Sequence, residues 1–186
     1  TYALDEWTSK GNYAVCWGND DYLDFDPFIG ASPEIKARRG AFHIVMLTGW
    51  EDAKQENDAA ENLGKWKMGW GQGTKIAQLQ DGSSQTLMVG EVLGFDSPED
   101  ARGAWIFPAM GSTVFSARLG PNSKFTDVIP MCEENITADD SLDCTENRQN
   151  GQVWAATRSA HPGGVVVSTC DGAVHFFSDS MDIDVW

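Results

Sequence analysis

The dipeptide Asp171-Gly172 is the feature that most constrains what this chain can fold into. It separates two runs rich in β-branched and aromatic residues, 164–170 and 173–178. A two-residue turn of type I′ needs positive φ at both central positions, and Asp-Gly is among the dipeptides that supply it. The pattern therefore predicts an antiparallel β-hairpin across this turn.

The register of a two-residue turn decides which side chains of the hairpin enter the core. It places Val167 opposite Phe176, on a face that is apolar along both strands. We expect both of these side chains to be buried. Val166 and Phe177 fall on the opposite, mixed face, which could meet a second layer or a neighbouring subunit.

Short apolar runs bounded by Gly, Pro, Asn and Asp recur along most of the chain, whereas helical periodicity is scarce. The one helix candidate, 51–63, has too thin an apolar stripe for a core helix and lies in a predicted surface insertion, 48–72. The sequence predicts a single domain, 1–186, of mainly β class: an antiparallel sheet with long loops and at most one or two short helices. Further strands are predicted at 13–17, 41–47, 74–79, 86–93, 103–107, 113–119 and 152–157.

The charge of the chain excludes some partners. It has 28 acidic and 13 basic residues, a formal net charge of -15. Nucleic acid and anionic lipid would both be repelled. The excess of acidic residues either keeps the protein in solution or binds divalent cations. Among these cations, Ca²⁺ takes six to eight oxygen ligands. The candidate calcium residues are Asp20, Asp21, Asp24 and Asp26, followed by Asp139, Asp140 and Asp143; neither cluster has EF-hand spacing.

The four cysteines contain no CxxC pair, which argues against a zinc site. Cys132 and Cys144 lie within a segment, 126–147, that is rich in Asp and Glu and has no Lys or Arg. Such a loop is too polar to order itself, so we predict a disulfide between these two cysteines and an oxidising compartment.

Two stretches of sequence resemble blocks of a known family. In the first, nine residues separate His161 from Asp171-Gly172, and Pro162-Gly163-Gly164 follows the histidine. The second runs from Asp81-Gly82 to Gly90-Glu91. Together these stretches resemble the pilin-like (pseudopilin-type) proteins of the planctomycete type, which have a C-terminal H-x9-DG block. The matches span about residues 76–186.

This resemblance implies a β-rich head that rides on an N-terminal, polymerising helix. The expected function is a non-catalytic structural subunit of an extracellular pilus-like filament or of a type II secretion-like pseudopilus. Expected partners are further copies or related subunits, and the expected location is extracellular, cell-surface or periplasmic. The hydrophobic helix is not in the printed sequence, so we expect any membrane contact to be made by a segment outside it.

The resemblance also bears on the remaining cysteines. Position 170 is Cys where the family has a small apolar residue before its Asp-Gly. Because Cys16 is the other cysteine left over, we predict a second disulfide between Cys16 and Cys170.

The motif residues are predicted to have structural roles. We expect His161 to support the turn at 162–164 through hydrogen bonds, and Asp171 and Gly172 to form a turn. Asp81 and Gly82 are expected to form a turn or a short capped helix. A strand between His161 and Asp171 would hold them about 25 Å apart, so a catalytic dyad is not expected.

Glu91 lies in an apolar run, and an unpaired buried charge would be costly. We therefore predict an ion pair between Glu91 and Arg102 or Arg158. No catalytic residues are predicted anywhere in the chain.

A secreted carbohydrate-binding module or a glycosidase-like β domain is the alternative function. It is based on the eight tryptophans, which could stack on sugars. We expect Trp17, Trp105 and Trp154 to lie in the core, because each falls in a predicted strand. The tryptophans of the insertion are candidates, together with Val166 and Phe177, for a contact between subunits; they are Trp50, Trp66 and Trp70.

Overall fold

The computed structural model describes residues 9–19, 40–42, 74–107, 109–134, 142–146 and 153–186. The predicted helix, the insertion with its three tryptophans, and most of the predicted strand 41–47 lie outside these residues. The described residues form seven strands and one short 3₁₀ helix, so the predicted mainly β class is confirmed. The strands are β1 (Tyr13–Cys16), β2 (Leu87–Glu91), β3 (Val114–Phe115), β4 (Asp127–Val128), β5 (Cys144–Thr145), β6 (Gly164–Thr169) and β7 (Val174–Ser178); the 3₁₀ helix is Ile76–Gln78.

Five strands make one sheet in the order β3-β1-β2-β6-β7. The β1–β3 pair is parallel, and the other three pairs are antiparallel. Strands β2 and β6 lie side by side in the middle, with an irregularity in register between Leu87 and Val89. Strand β7 is at one edge of the sheet.

The predicted hairpin is present, but its register is shifted by one residue. Val167 pairs with His175, and Val166 pairs with Phe176. The shift arises because Cys170 belongs to the turn: the Thr169 N–H donates to the Ala173 carbonyl at 2.9 Å, which leaves three residues between them. This is a three-residue connection, not the predicted type I′ turn.

The shift reverses which face each β7 side chain occupies, because side chains alternate along a strand. Val165 and Val167 of β6 are buried as expected, but Phe176 is 57% exposed, so its predicted burial is wrong. Phe177 takes its place on the inner face, where it packs against a core cluster and makes an edge-to-face contact with Trp186.

Three predicted strands are wrong. In 152–157, the described residues 153–157 make one isolated bridge, at Trp154. Residues 74–79 contain the 3₁₀ helix, and 103–107 form turns, with one isolated bridge at Ala104. Both segments expose an isoleucine, Ile76 and Ile106. Trp105 is 64% exposed, so its predicted place in the core is wrong, whereas Trp17 is buried.

Strands β4 and β5 pair in parallel within the segment that was predicted to be an acidic loop. Val128 of β4 also exchanges two backbone hydrogen bonds with Trp154, each 2.9 Å long. The segment's ends are thereby joined to the region around Trp154.

Buried side chains form two clusters. The first cluster contains residues of β4 and β5 and of the chain segments packed around them: Trp17, Met110, Val128, Ile129, Cys132, Cys144, Val153 and Ala155. The second lies against the inner face of the five-stranded sheet: Ala14, Cys16, Leu87, Val92, Phe115, Val165 and Val167.

Candidate functional site

The two motif blocks pair with each other in the structure. The block that begins at Asp81 supplies β2, and the block that begins at His161 supplies β6; the two strands are antiparallel neighbours. His161 therefore lies beside the end of β2, and Asp171 lies beside its beginning. The two residues are at opposite ends of β6, so they do not form a dyad.

At the first end, Glu91 joins β2 to the start of β6. Its Oε1 lies 3.1 Å from His161 Nε2, and its Oε2 accepts the Val166 N–H at 2.7 Å. The prediction that Arg102 or Arg158 pairs with the Glu91 side chain is wrong, because the two arginines pair with Asp100 and Asp127. Arg158 contacts Glu91 through its backbone N–H, which donates to the Glu91 backbone carbonyl at 2.9 Å. The His161 side chain supports β2 in this way, not the turn at 162–164.

At the other end, Asp171 organises the hairpin turn. Its Oδ1 accepts the Thr169 hydroxyl at 2.6 Å and the Ala173 N–H at 3.0 Å. These hydrogen bonds lower the pKa of Asp171 below its usual value, and the bond from the Thr169 hydroxyl has the largest effect. Gly172 has a φ of 85°, a left-handed conformation that favours glycine.

The turn that begins the other block lies against the hairpin turn. Gly82 has a φ of 86°, and its carbonyl accepts the Thr86 hydroxyl at 3.0 Å. The Asp171 N–H then donates to the Ser83 carbonyl at 3.1 Å, and the Cys170 N–H donates to the Thr86 carbonyl at 2.9 Å. Asp81-Gly82 and Asp171-Gly172 thus lie in two turns that contact each other through backbone hydrogen bonds.

Arg158 makes a buried ion pair with Asp127 of β4. Its Nε and Nη2 donate to the two carboxylate oxygens at 2.8 Å each, and further bonds reach the carbonyls of Ser123 and Phe125. Burial alone would lower the pKa of Arg158, but the hydrogen bonds and charge of Asp127 outweigh it and raise the pKa. The pair connects β4 to the chain that precedes His161.

A second buried pair joins Arg102 to Asp100. Arg102 Nη2 donates to Asp100 Oδ2 at 2.6 Å, and both side chains are almost fully buried. The Glu133 N–H also donates to Asp100 Oδ2, at 3.0 Å. This carboxylate therefore fixes the chain next to Cys132. The sequence offers 28 acidic residues as partners for the two arginines, and nothing in their spacing singles out Asp100 or Asp127.

The cysteines follow one of the two predictions. Cys132 and Cys144 form a disulfide with a Cα–Cα distance of 6.1 Å, as predicted. Cys16 and Cys170 are free, so the predicted second disulfide is wrong. Cys16 belongs to β1 and Cys170 follows β6, with β2 between them. Two strand spacings, about 9.6 Å, exceed the span of a disulfide.

The two free thiols differ in environment. Burial raises the pKa of Cys16 to about 12. Partial burial, and then the neighbouring Asp171 carboxylate, raise the pKa of Cys170 as well. Neither thiol is activated, which agrees with a structural rather than a nucleophilic role.

The predicted calcium residues are only partly described. Asp20, Asp21, Asp24 and Asp26 lie outside the described residues, as do Asp139 and Asp140, so calcium binding there stays a prediction. Asp143 is described, and its carboxylate accepts the Thr126 hydroxyl at 2.5 Å. Glu134 and Glu146, also in this segment, accept hydrogen bonds from Thr145 at 2.7 Å and from the Cys132 N–H at 3.1 Å.

The outer face of the hairpin exposes apolar side chains. Val174 is 66% exposed and Phe176 is 57% exposed, and their pairing partners across the hairpin are Ser168 and Val166. The ring of Phe176 lies over Gly164, where a Cβ would come within 2.7 Å of it. We call Val166, Val174 and Phe176 the outer hairpin face.

Comparison with known proteins places this arrangement in a family. The family model described as "Protein of unknown function (DUF1559)" matches residues 26–184. The chain belongs to this family. No curated protein and no solved structure matches the chain. The DUF1559 match includes both motif blocks, both buried ion pairs and the disulfide.

Proposed function

We propose that this chain is the non-catalytic structural head of a subunit that builds an extracellular pilus-like filament or a secretion pseudopilus. The proposal combines membership of the DUF1559 family with the H-x9-DG block from His161 to Gly172 and the block from Asp81 to Glu91. Both blocks resemble those of pilin-like proteins.

The observation that supports this function best is the use of the motif side chains. Glu91 bonds to His161 and to the Val166 N–H of β6, and Asp171 bonds within its own turn. These polar groups are occupied in holding β2, β6 and β7 together.

The outer hairpin face supports a contact between subunits. Exposed apolar groups that lie next to one another are typical of surfaces that become buried on association. Of the two hairpin residues named in the sequence analysis, Val166 is on this face, whereas Phe177 packs inward against Trp186. Val174 and Phe176 take the place of Phe177 in the proposed contact.

The disulfide agrees with an oxidising, non-cytoplasmic compartment, which a filament outside the cytoplasm requires. Among the described residues, no helix has the length and apolar character needed to cross a bilayer. In the proposed function the membrane anchor is a hydrophobic helix encoded upstream of the printed sequence.

One observation favours the alternative of carbohydrate binding. Trp105 is 64% exposed at a turn, beside Ile106, which is 79% exposed. An exposed indole ring offers a flat apolar surface on which a sugar can stack. A glycan array tests this with the Trp105→Ala variant as its control: sugar binding that depends on Trp105 would favour the alternative over the structural role.

The proposed function is tested by expressing the gene with its own upstream sequence and fractionating the cells. We expect the protein in the envelope or sheared-surface fraction, in assemblies of more than one copy. A product found entirely as free monomer, with no partner in any fraction, would contradict the proposal.

A further inference from the structure

Strand β7 has one edge that pairs with no other described strand. It is the last strand in the order β3-β1-β2-β6-β7. The Thr169 N–H donates to the Ala173 carbonyl, and the Asp179 N–H donates to the Gly163 carbonyl. In an antiparallel ladder the bonded positions alternate, so odd-numbered β7 residues face β6. The backbone groups of Val174, Phe176 and Ser178 therefore point away from the sheet.

This edge lacks the features that usually prevent strand pairing. Natural edge strands are protected by Lys, Pro, inward-pointing charges or bulges. Residues 174–178 contain no Lys, Arg, Asp, Glu or Pro, and their pairing with β6 is regular. Every side chain of the strand except that of Phe177 is exposed. An unprotected edge beside exposed apolar groups is suited to receive another strand.

We infer that β7 pairs antiparallel with β7 of a second copy of this chain, about a two-fold axis at Phe176. In this register Phe176 faces Phe176 of the second copy, and Val174 faces Ser178 in both directions. It is the register that opposes all three outward-facing residues to one another. A shift of two residues in either direction leaves one of them without an outward-facing partner within the strand.

The side chains are compatible with a second copy as the partner. The two outer hairpin faces become one continuous apolar surface, with the two Phe176 rings at its centre. On the other face, His175 lies opposite Phe177 of the second copy and diagonal to its His175 and its Asp179. The Asp179 carboxylate also accepts the Asn122 side-chain N–H at 2.8 Å. The Ser178 carbonyl also accepts the Met181 N–H at 3.0 Å, so that acceptor is shared.

The contact is weak on its own, because one strand edge buries less area than a stable dimer interface needs. A net charge of -15 on each copy opposes it further. A high local concentration of subunits compensates for the small contact area, and salt should promote pairing of the isolated chain by screening the charges. A two-fold contact closes at two copies, so it would join the heads of neighbouring assemblies and would not extend a single filament. In this respect the inference rests on the proposed function.

Disulfide trapping tests the register, because opposed bonded residues have Cα atoms about 5.5 Å apart, within disulfide range. In a Cys170→Ser background, Phe176→Cys should form a covalent dimer several-fold faster than Asp184→Cys, an exposed control. Val174→Cys and Ser178→Cys should trap slowly alone but rapidly when mixed. Equal trapping by Phe176→Cys and Asp184→Cys, or fast trapping by Val174→Cys alone, would overturn the inference.

Sedimentation velocity gives a second readout that needs no cysteine. The weight-average sedimentation coefficient should rise between about 0.05 M and about 0.5 M NaCl. Phe176→Lys should abolish the rise, whereas Phe125→Lys, at an exposed site outside the hairpin, should not. If both variants behave like the wild type, the inference fails. That failure would leave the proposed function standing, because the proposed function is tested separately by the surface assemblies of the full-length product.

Discussion

Replacing Glu91 tests whether the motif side chains hold the sheet together. The carboxylate accepts the Val166 N–H at 2.7 Å and lies 3.1 Å from His161 Nε2, while its own side chain is only 10% exposed. Glu91→Gln keeps the shape of the side chain and one acceptor oxygen but removes the charge. Glu91→Ala also removes the acceptor of the Val166 N–H.

The expected losses of unfolding free energy follow from these contacts. A hydrogen bond to a charged group contributes about 1.5–3 kcal/mol, against about 0.5–1.5 kcal/mol for a neutral one. Glu91→Gln should therefore cost about 1–2 kcal/mol. Glu91→Ala should cost about 2–4 kcal/mol, because it leaves a partly buried N–H without a partner. His161 is 58% exposed, so its removal should cost no more than about 1 kcal/mol.

Urea denaturation followed by tryptophan fluorescence measures these differences. Glu99→Gln makes the same chemical change at an exposed position and should leave the unfolding free energy within about 0.5 kcal/mol of the wild type. If Glu91→Ala matched that control, Glu91 would not hold β2 to β6. The structural assignment of the motif would then be refuted.

Three further predictions concern the disulfide, the ion pair between Arg158 and Asp127, and the free thiols. Replacing both cysteines of the disulfide by serine should cost about 3 kcal/mol in urea denaturation, since the cystine closes a loop with a sequence separation of 12; a loss below about 1 kcal/mol would contradict this. Asp127→Ala should cost about 3–5 kcal/mol, because it leaves Arg158 buried without its counter-ion, and an unchanged urea midpoint would count against the pair. Alkylation of the native protein at neutral pH should modify Cys170 slowly and spare Cys16, whose pKa is about 12; unfolding without reduction should expose two thiols, and rapid native labelling of Cys16 would disprove its burial.

The sequence predicted the elements that depend on local chemistry. The hairpin, β1 and β2 were all predicted, because turn residues and β-branched runs announce them within a few positions. The predicted register was wrong by one residue because the Thr169 N–H donates to the Ala173 carbonyl, which places Cys170 in the turn. The length of this turn determines whether Phe176 or Phe177 faces the core, and composition does not reveal it.

Long-range contacts were not accessible from one sequence. Strands β4 and β5 are two residues each and pair across the acidic segment, with no periodicity to mark them. The choice of His161 as the partner of Glu91 depends on the pairing of β2 with β6, which brings together residues 70 positions apart. The strand predictions for 74–79 and 103–107 were wrong for the opposite reason. The apolar residues of these segments match the strand pattern, yet Ile76 and Ile106 are exposed.

Immunogold electron microscopy of cells that produce the full-length gene product tests the central claim most directly. Antibodies against this chain should decorate extended surface filaments or purified pseudopilus-like assemblies at regular intervals. Label confined to dispersed single molecules, with no filament across a range of salt concentrations, would contradict a structural subunit and turn attention to sugar binding at Trp105.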